Sequence, residues 1–68
     1  MSGAITLNGE PRELPADGAT LRALLAPLGL DRPGVAAAVN GDPVARAHWE
    51  RPLAAGDAVL VLEMVAGG

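Results

Sequence analysis

Ala58-Val59-Leu60-Val61-Leu62-Glu63-Met64-Val65 is the clearest strand in the chain. It is rich in valine and leucine and comes after a Gly56-Asp57 turn. Successive side chains of a strand point to opposite faces of its sheet. Val59, Leu60, Val61 and Leu62 therefore make both faces apolar. A sheet covered by one helix hides only one face. One set, Val59 and Val61 or Leu60 and Leu62, is then expected to stay exposed unless loops around residues 46–55 cover it. The pattern alone does not decide which. Glu63 shares parity with Val59 and Val61 and favours that face as the wet one. An exposed apolar patch beside a functional segment marks a docking surface.

The strand runs directly into Ala66-Gly67-Gly68. Two glycines make a thin tail without side chains, able to enter a narrow site. Such a tail can present the Gly68 carboxylate to another enzyme's active site, with Gly67 and Ala66 supplying its slimness.

Upstream, Ala4-Ile5-Thr6-Leu7 reads as a strand. Asn8-Gly9 comes next, a pair in which both positions accept positive φ and which signals a hairpin. Arg12-Glu13-Leu14 is the returning strand. Pro11 belongs at its first residue or on an edge, because proline cannot donate to a ladder. Thr20 is positioned to cap a helix. Leu21, Leu24, Leu25 and Leu28 then share one helical face. Pro27 removes a bond to the Ala23 carbonyl, so the helix ends or tightens there, and Gly29 closes it.

Val35-Ala36-Ala37-Ala38-Val39 lies between Pro33-Gly34 and Asn40-Gly41. So short and bounded a run reads as a buried strand, despite the helical preference of alanine. Pro43 to Arg46 is a short extended piece. A hairpin, one crossing helix and further strands on one sheet describe an α+β protein of the β-grasp, or ubiquitin-like, type. The expected sheet is mixed, with four to five strands. Residues 1–68 are expected to form a single domain with a flexible C-terminal Gly-Gly tail.

Composition narrows the function. Half the residues are apolar, enough for a folded core, yet at 68 residues that core is small and stability is modest. Eight acidic residues oppose five arginines, with a net charge of −3. No basic cluster exists, so nucleic acid is not an expected partner. No apolar run approaches the roughly 20 residues of a membrane span. The N-terminus lacks the charged and apolar regions of a signal peptide, and no cysteine is present. A cytoplasmic location is expected.

No catalytic constellation emerges. His48, the only histidine, has no nucleophile or second metal ligand at a recognisable spacing and is expected in a loop. Trp49, the only aromatic, is expected to fill the core. Asp42, Asp57 and Glu63 show no acid–base pairing and are expected to be solvated. The glycines do not form a phosphate-binding loop. Neither a metal nor a bound cofactor is expected, and the chain is not expected to be an enzyme.

These residues together resemble the ThiS family, the sulfur carrier proteins of thiamin biosynthesis. The likeness covers nearly the whole chain. It is carried by Asn8-Gly9, Thr20-Leu21 with Leu24-Leu25, Val39-Asn40-Gly41, Val44 with Arg46 and Trp49, Gly56-Asp57 and Val65-Ala66-Gly67-Gly68. Arg46 and Trp49 are the more specific element; the terminal motif marks the class of carriers. Pro27 and Ala38 depart from the pattern.

The resemblance implies that an E1-like adenylating enzyme, using ATP and Mg²⁺, activates the Gly68 carboxylate. A sulfur donor protein then replaces AMP to leave a thiocarboxylate, and thiazole synthase takes the sulfur. It also implies that Leu60, Leu62 and Met64 form the partner-binding face. The alternatives are the small subunit of molybdopterin synthase, another ubiquitin-like sulfur carrier or protein modifier, and a β-grasp interaction module with an inert tail.

Overall fold

A computed structural model describes residues 3–16 and 18–64. The chain forms β1 (Ala4–Leu7), β2 (Glu10–Glu13), helix α1 (Leu21–Leu25), β3 (Val35–Val39), β4 (Asp42–Val44) and β5 (Ala58–Glu63). The strands make one sheet in the order β2-β1-β5-β3-β4. β5 runs parallel to β1 and antiparallel to β3, so the sheet is mixed. With one short helix across it, this is the expected β-grasp with five strands.

Two hairpins of the same design flank β5. Asn8-Gly9 joins β1 to β2, and Asn40-Gly41 joins β3 to β4. Both asparagines have φ 52° and both glycines φ 85°. Positive φ at both central residues gives a turn whose twist matches that of the flanking strands. An acidic residue and a proline come after each turn, and the prolines sit on the two edge strands β2 and β4. There the missing N–H costs no ladder bond and blunts the edge against strand addition. The second hairpin was not expected, because in the sequence Asn40-Gly41 reads only as a strand boundary.

Both hairpin tips clasp β5. The Asn8 N–H donates to the Val59 carbonyl at 2.8 Å, and Asn8 Oδ1 accepts from the Val61 N–H at 2.8 Å. From the other side, the Asn40 N–H donates to the Ala58 carbonyl at 2.7 Å, while Asn40 Oδ1 accepts from the Ala58 N–H at 2.9 Å. These bonds fix the register of β5 against both neighbours.

Thr20 caps α1, its Oγ1 accepting from the Ala23 N–H at 3.1 Å. The helix lasts five residues and tightens into a 3₁₀ turn over Ala26–Leu28. Pro27 explains the change, since it lacks the N–H and crowds the preceding turn. Leu21, Leu24 and Leu25 are buried, but Leu28 is 38% exposed. The expected four-leucine face is thus a three-leucine face. A 3₁₀ turn winds at about 3.0 residues per turn and carries Leu28 off the α-helical stripe.

The core lies between α1 and the inner sheet face. Ile5, Leu7, Val39, Val59 and Val61 supply the sheet side. A second 3₁₀ turn, Arg46–His48, leads Trp49 inward until it is fully buried, and Leu53 also enters the core. The Trp49 Nε1–H donates to the Val44 carbonyl at 3.1 Å, so its one polar group is satisfied. Arg46 and Arg22 lie over its ring at 5.2 and 5.9 Å. His48 stays exposed in its loop.

Candidate functional site

Strand parity and two fixed registers decide which side of β5 faces out. Val59 pairs with Leu7 and Val39, and Val61 pairs with Ala37. All of these are buried. Leu60 and Leu62 must then point the other way, and they are 53% and 70% exposed. Met64, just beyond the strand, is 66% exposed. Slipping the register by one residue would exchange the two sets; the Asn8 and Asn40 bonds oppose that slip.

This corrects the expectation drawn from Glu63. Its parity is that of the buried valines, yet it lies at the strand end, paired with Arg32 at the surface. The loop alternative also fails: Trp49 and Leu53 pack with Val59 and leave the outer face uncovered. Glu63 and Asp57 are not simply solvated either. The Asp57 carboxylate accepts from the Ala54 N–H at 2.9 Å and from Asn40 Nδ2 at 3.0 Å. The Ala54 amide, then Asn40, hold its pKa below the usual carboxylate value. Asp57 therefore locks the turn that launches β5.

Opposite the exposed leucines stand small side chains. Leu60 pairs with Ala38, and Leu62 with Ala36. On the next strand Pro43 pairs with Ala38. Large residues beside small ones leave an apolar depression lined by Ala36, Ala38, Pro43, Leu60 and Leu62. The alanines and Pro43 were not expected at the site. Their signal is the alternation hidden inside Val35–Val39, where buried and half-buried residues alternate. Fully burying a leucine or methionine is worth about 1.5–3 kcal/mol, so a partner covering this strip gains substantially.

Among the described residues no charged or polar side chain is buried, and no group of histidine, cysteine and carboxylate residues is placed to hold a metal. No helix is long and apolar enough to cross a membrane. Gly68, Gly67 and Ala66, the expected reactive tail, lie outside the described residues. Leu60, Leu62 and Met64 form one strip on the strand leading into it.

The sequence model of the ThiS family matches residues 5–68. The sulfur carrier protein ThiS of Thermus thermophilus is 38% identical over 65 residues, spanning 94% of this chain and 98% of that protein. Among solved structures, a thiamine biosynthesis protein (ThiS) from Geobacter metallireducens superposes with a TM-score of 0.78 at 28% identity, covering 96% of this chain and 99% of that one. SAMP1 from Haloferax volcanii shares the fold, with a TM-score of 0.62, 22% identity and full coverage of both chains. A match over almost every residue, joined to the five-stranded sheet and single helix, shows that the chain belongs to the ThiS family of sulfur carriers.

Proposed function

We propose that this protein carries sulfur for thiazole formation in thiamin biosynthesis, as a co-substrate of partner enzymes. The name of the Geobacter relative, a thiamine biosynthesis protein, supports the pathway, and that of the Thermus relative, a sulfur carrier protein, supports the role. The observation that carries the reading is the exposed Leu60, Leu62 and Met64 strip on the strand leading into the Gly-Gly terminus.

The chemistry rests on the carboxylate. A free carboxylate is a poor electrophile, so it must first gain a leaving group. On an E1-like enzyme the Gly68 carboxylate attacks the α-phosphate of Mg²⁺-bound ATP. An acyl-adenylate forms and pyrophosphate leaves. A donor protein's cysteine persulfide displaces AMP to form an acyl disulfide, and a second thiol attacks the donor sulfur, releasing the thiocarboxylate and leaving a disulfide. Thiazole synthase then consumes that sulfur. The strip supplies docking energy away from the reacting atoms, and Gly67 lets the backbone pass a narrow channel. ATP and Mg²⁺ belong to the activating partner, and the cytoplasm provides both.

The test is intact mass after incubation with ATP, an adenylating enzyme and a sulfur source, beside a variant lacking Gly67 and Gly68. The expected result is a gain equal to exchanging one oxygen for sulfur, located in the C-terminal peptide and absent from the variant. No gain, with an enzyme that loads a known carrier in parallel, would reject the reading. Thiazole synthase accepting the loaded chain would separate the thiamin pathway from transfer to a pterin precursor.

A further inference from the structure

The turn before β3 is built around the end of β5. The Met64 N–H donates to the Gly34 carbonyl at 2.7 Å, one position beyond the Val35–Glu63 pair. The Arg32 guanidinium donates to the Glu63 carboxylate and also to the Gly29 carbonyl at 3.0 Å. Gly34 has φ +89°, and a Cβ there would stand 3.3 Å from the Met64 carbonyl oxygen. Proline followed by a residue of positive φ is the pattern of a tight turn that only glycine enters without strain. The residue before Gly34 is Pro33, which has no N–H to offer a further ladder bond.

This turn is itself braced. Asp31, which precedes Arg32, accepts from Arg22 of α1 at 3.1 Å and from Arg46 of the second 3₁₀ turn at 2.8 Å. The contacts on residues 63 and 64 are thus tied through Asp31 and Gly29 to the helical layer. An ion pair as exposed as Arg32–Glu63 contributes little to stability. Its location, at the root of the segment that must reach a partner's active site, gives it a different use. From Met64, residues 65–68 can span at most about 14 Å. Over so short a reach, the point and direction at which the chain leaves residue 64 bound where Gly68 can arrive.

Resting on the carrier reading above, we propose that the Arg32-Pro33-Gly34 turn is a positioning element for the tail. Arg32 and the Gly34 carbonyl fix where and in which direction the chain leaves the sheet, while the apolar strip sets how tightly the protein docks. Arg32 acts through Glu63 and touches no reacting atom. Loss of aim therefore lowers turnover and spares docking, because misplacing a reacting group by about 1 Å can cost up to about 100-fold in rate.

The experiment measures adenylation by the activating enzyme, read as pyrophosphate exchange, for the wild-type chain, Arg32→Glu, Arg32→Gln, Glu63→Arg and the swapped pair Arg32→Glu with Glu63→Arg. Thermal melts accompany each. We expect Arg32→Glu to lower kcat about tenfold with KM within about twofold and Tm nearly unchanged. The swapped pair should recover most of the loss. Arg32→Gln should lie between, and serves if Arg32→Glu does not fold. An unchanged kcat, a rise in KM alone, or a swapped pair no better than the single variants overturns the proposal. A wild-type chain that is not adenylated overturns the carrier reading and this proposal together, whereas a wild-type chain that is adenylated isolates the failure to the turn.

Discussion

The two faces of β5 have nearly the same composition and opposite fates. Val59 and Val61 are 1% and 8% exposed; Leu60 and Leu62 are 53% and 70% exposed. The larger and more apolar pair is the one left in water. Hydrophobicity alone would bury the leucines. The neighbours decide otherwise, because the inner face meets three leucines of α1 together with Trp49 and Leu53, while nothing among the described residues packs on the outer face. A strand can therefore state that it is adhesive on both sides without stating which side serves the fold and which serves a partner.

Opposite-face substitutions break the comparison hardest. Val61→Asp should abolish the folded state, since an unpaired buried charge costs more than a domain this small has to spare. Leu62→Asp should melt within a few degrees of wild type yet lose activation by the adenylating enzyme. Circular dichroism melts and pyrophosphate exchange separate the two outcomes. A folded Val61→Asp, or an active Leu62→Asp, would reverse the assignment of faces.

A gentler version removes size alone. Val59→Ala should cost about 2 kcal/mol in urea unfolding, from lost burial and the cavity left behind. Leu60→Ala should stay within about 0.5 kcal/mol. Equal costs would mean that the outer face is covered in the free protein.

The clasp that holds the register comes next. Asn40→Ala forfeits the bonds to Ala58 and Asp57 and places alanine at φ 52°, for a loss of about 1–2 kcal/mol. Asn40→Gly keeps the backbone angle accessible and loses only the side-chain bonds. Its stability in the same urea titration should fall between wild type and Asn40→Ala.

The smallest effect is on pH. The folded-state pKa of Asp57 lies below its unfolded value near 3.8. Its contribution to stability is therefore complete above the unfolded pKa and is lost as pH falls through the folded one. Melts across the acid range should show this decline for the wild-type chain, and a shallower one for Asp57→Asn. Identical slopes would remove Asp57 from the lock on β5.

Much of this fold is legible where chemistry is local. Asn8-Gly9 announces its hairpin through the backbone angles it tolerates, Thr20 its cap through one short bond, and Pro27 the end of α1 through a missing N–H. The second hairpin at Asn40-Gly41 carries the same signal, obscured because β4 is only three residues long. Asp57 and Arg32 were not legible as locks. Beyond their local bonds to Ala54 and Gly29, their distant partners Asn40 and Glu63 lie 17 and 31 residues away in the chain, and no local pattern connects them.

The elements, their order and the doubled apolar character of β5 were already written along the chain, because turn angles, caps and strand alternation depend on near neighbours. So was the Gly-Gly terminus on which the proposed chemistry rests. That Val59 and Val61 face the core while Leu60, Leu62 and Met64 face water was implied only by the family resemblance, not by the residue pattern, and tertiary packing decided it. Alternation makes the two faces of an isolated strand equivalent. That symmetry breaks only when β1 and β3 fix the register, and α1, Trp49 and Leu53 close over one side.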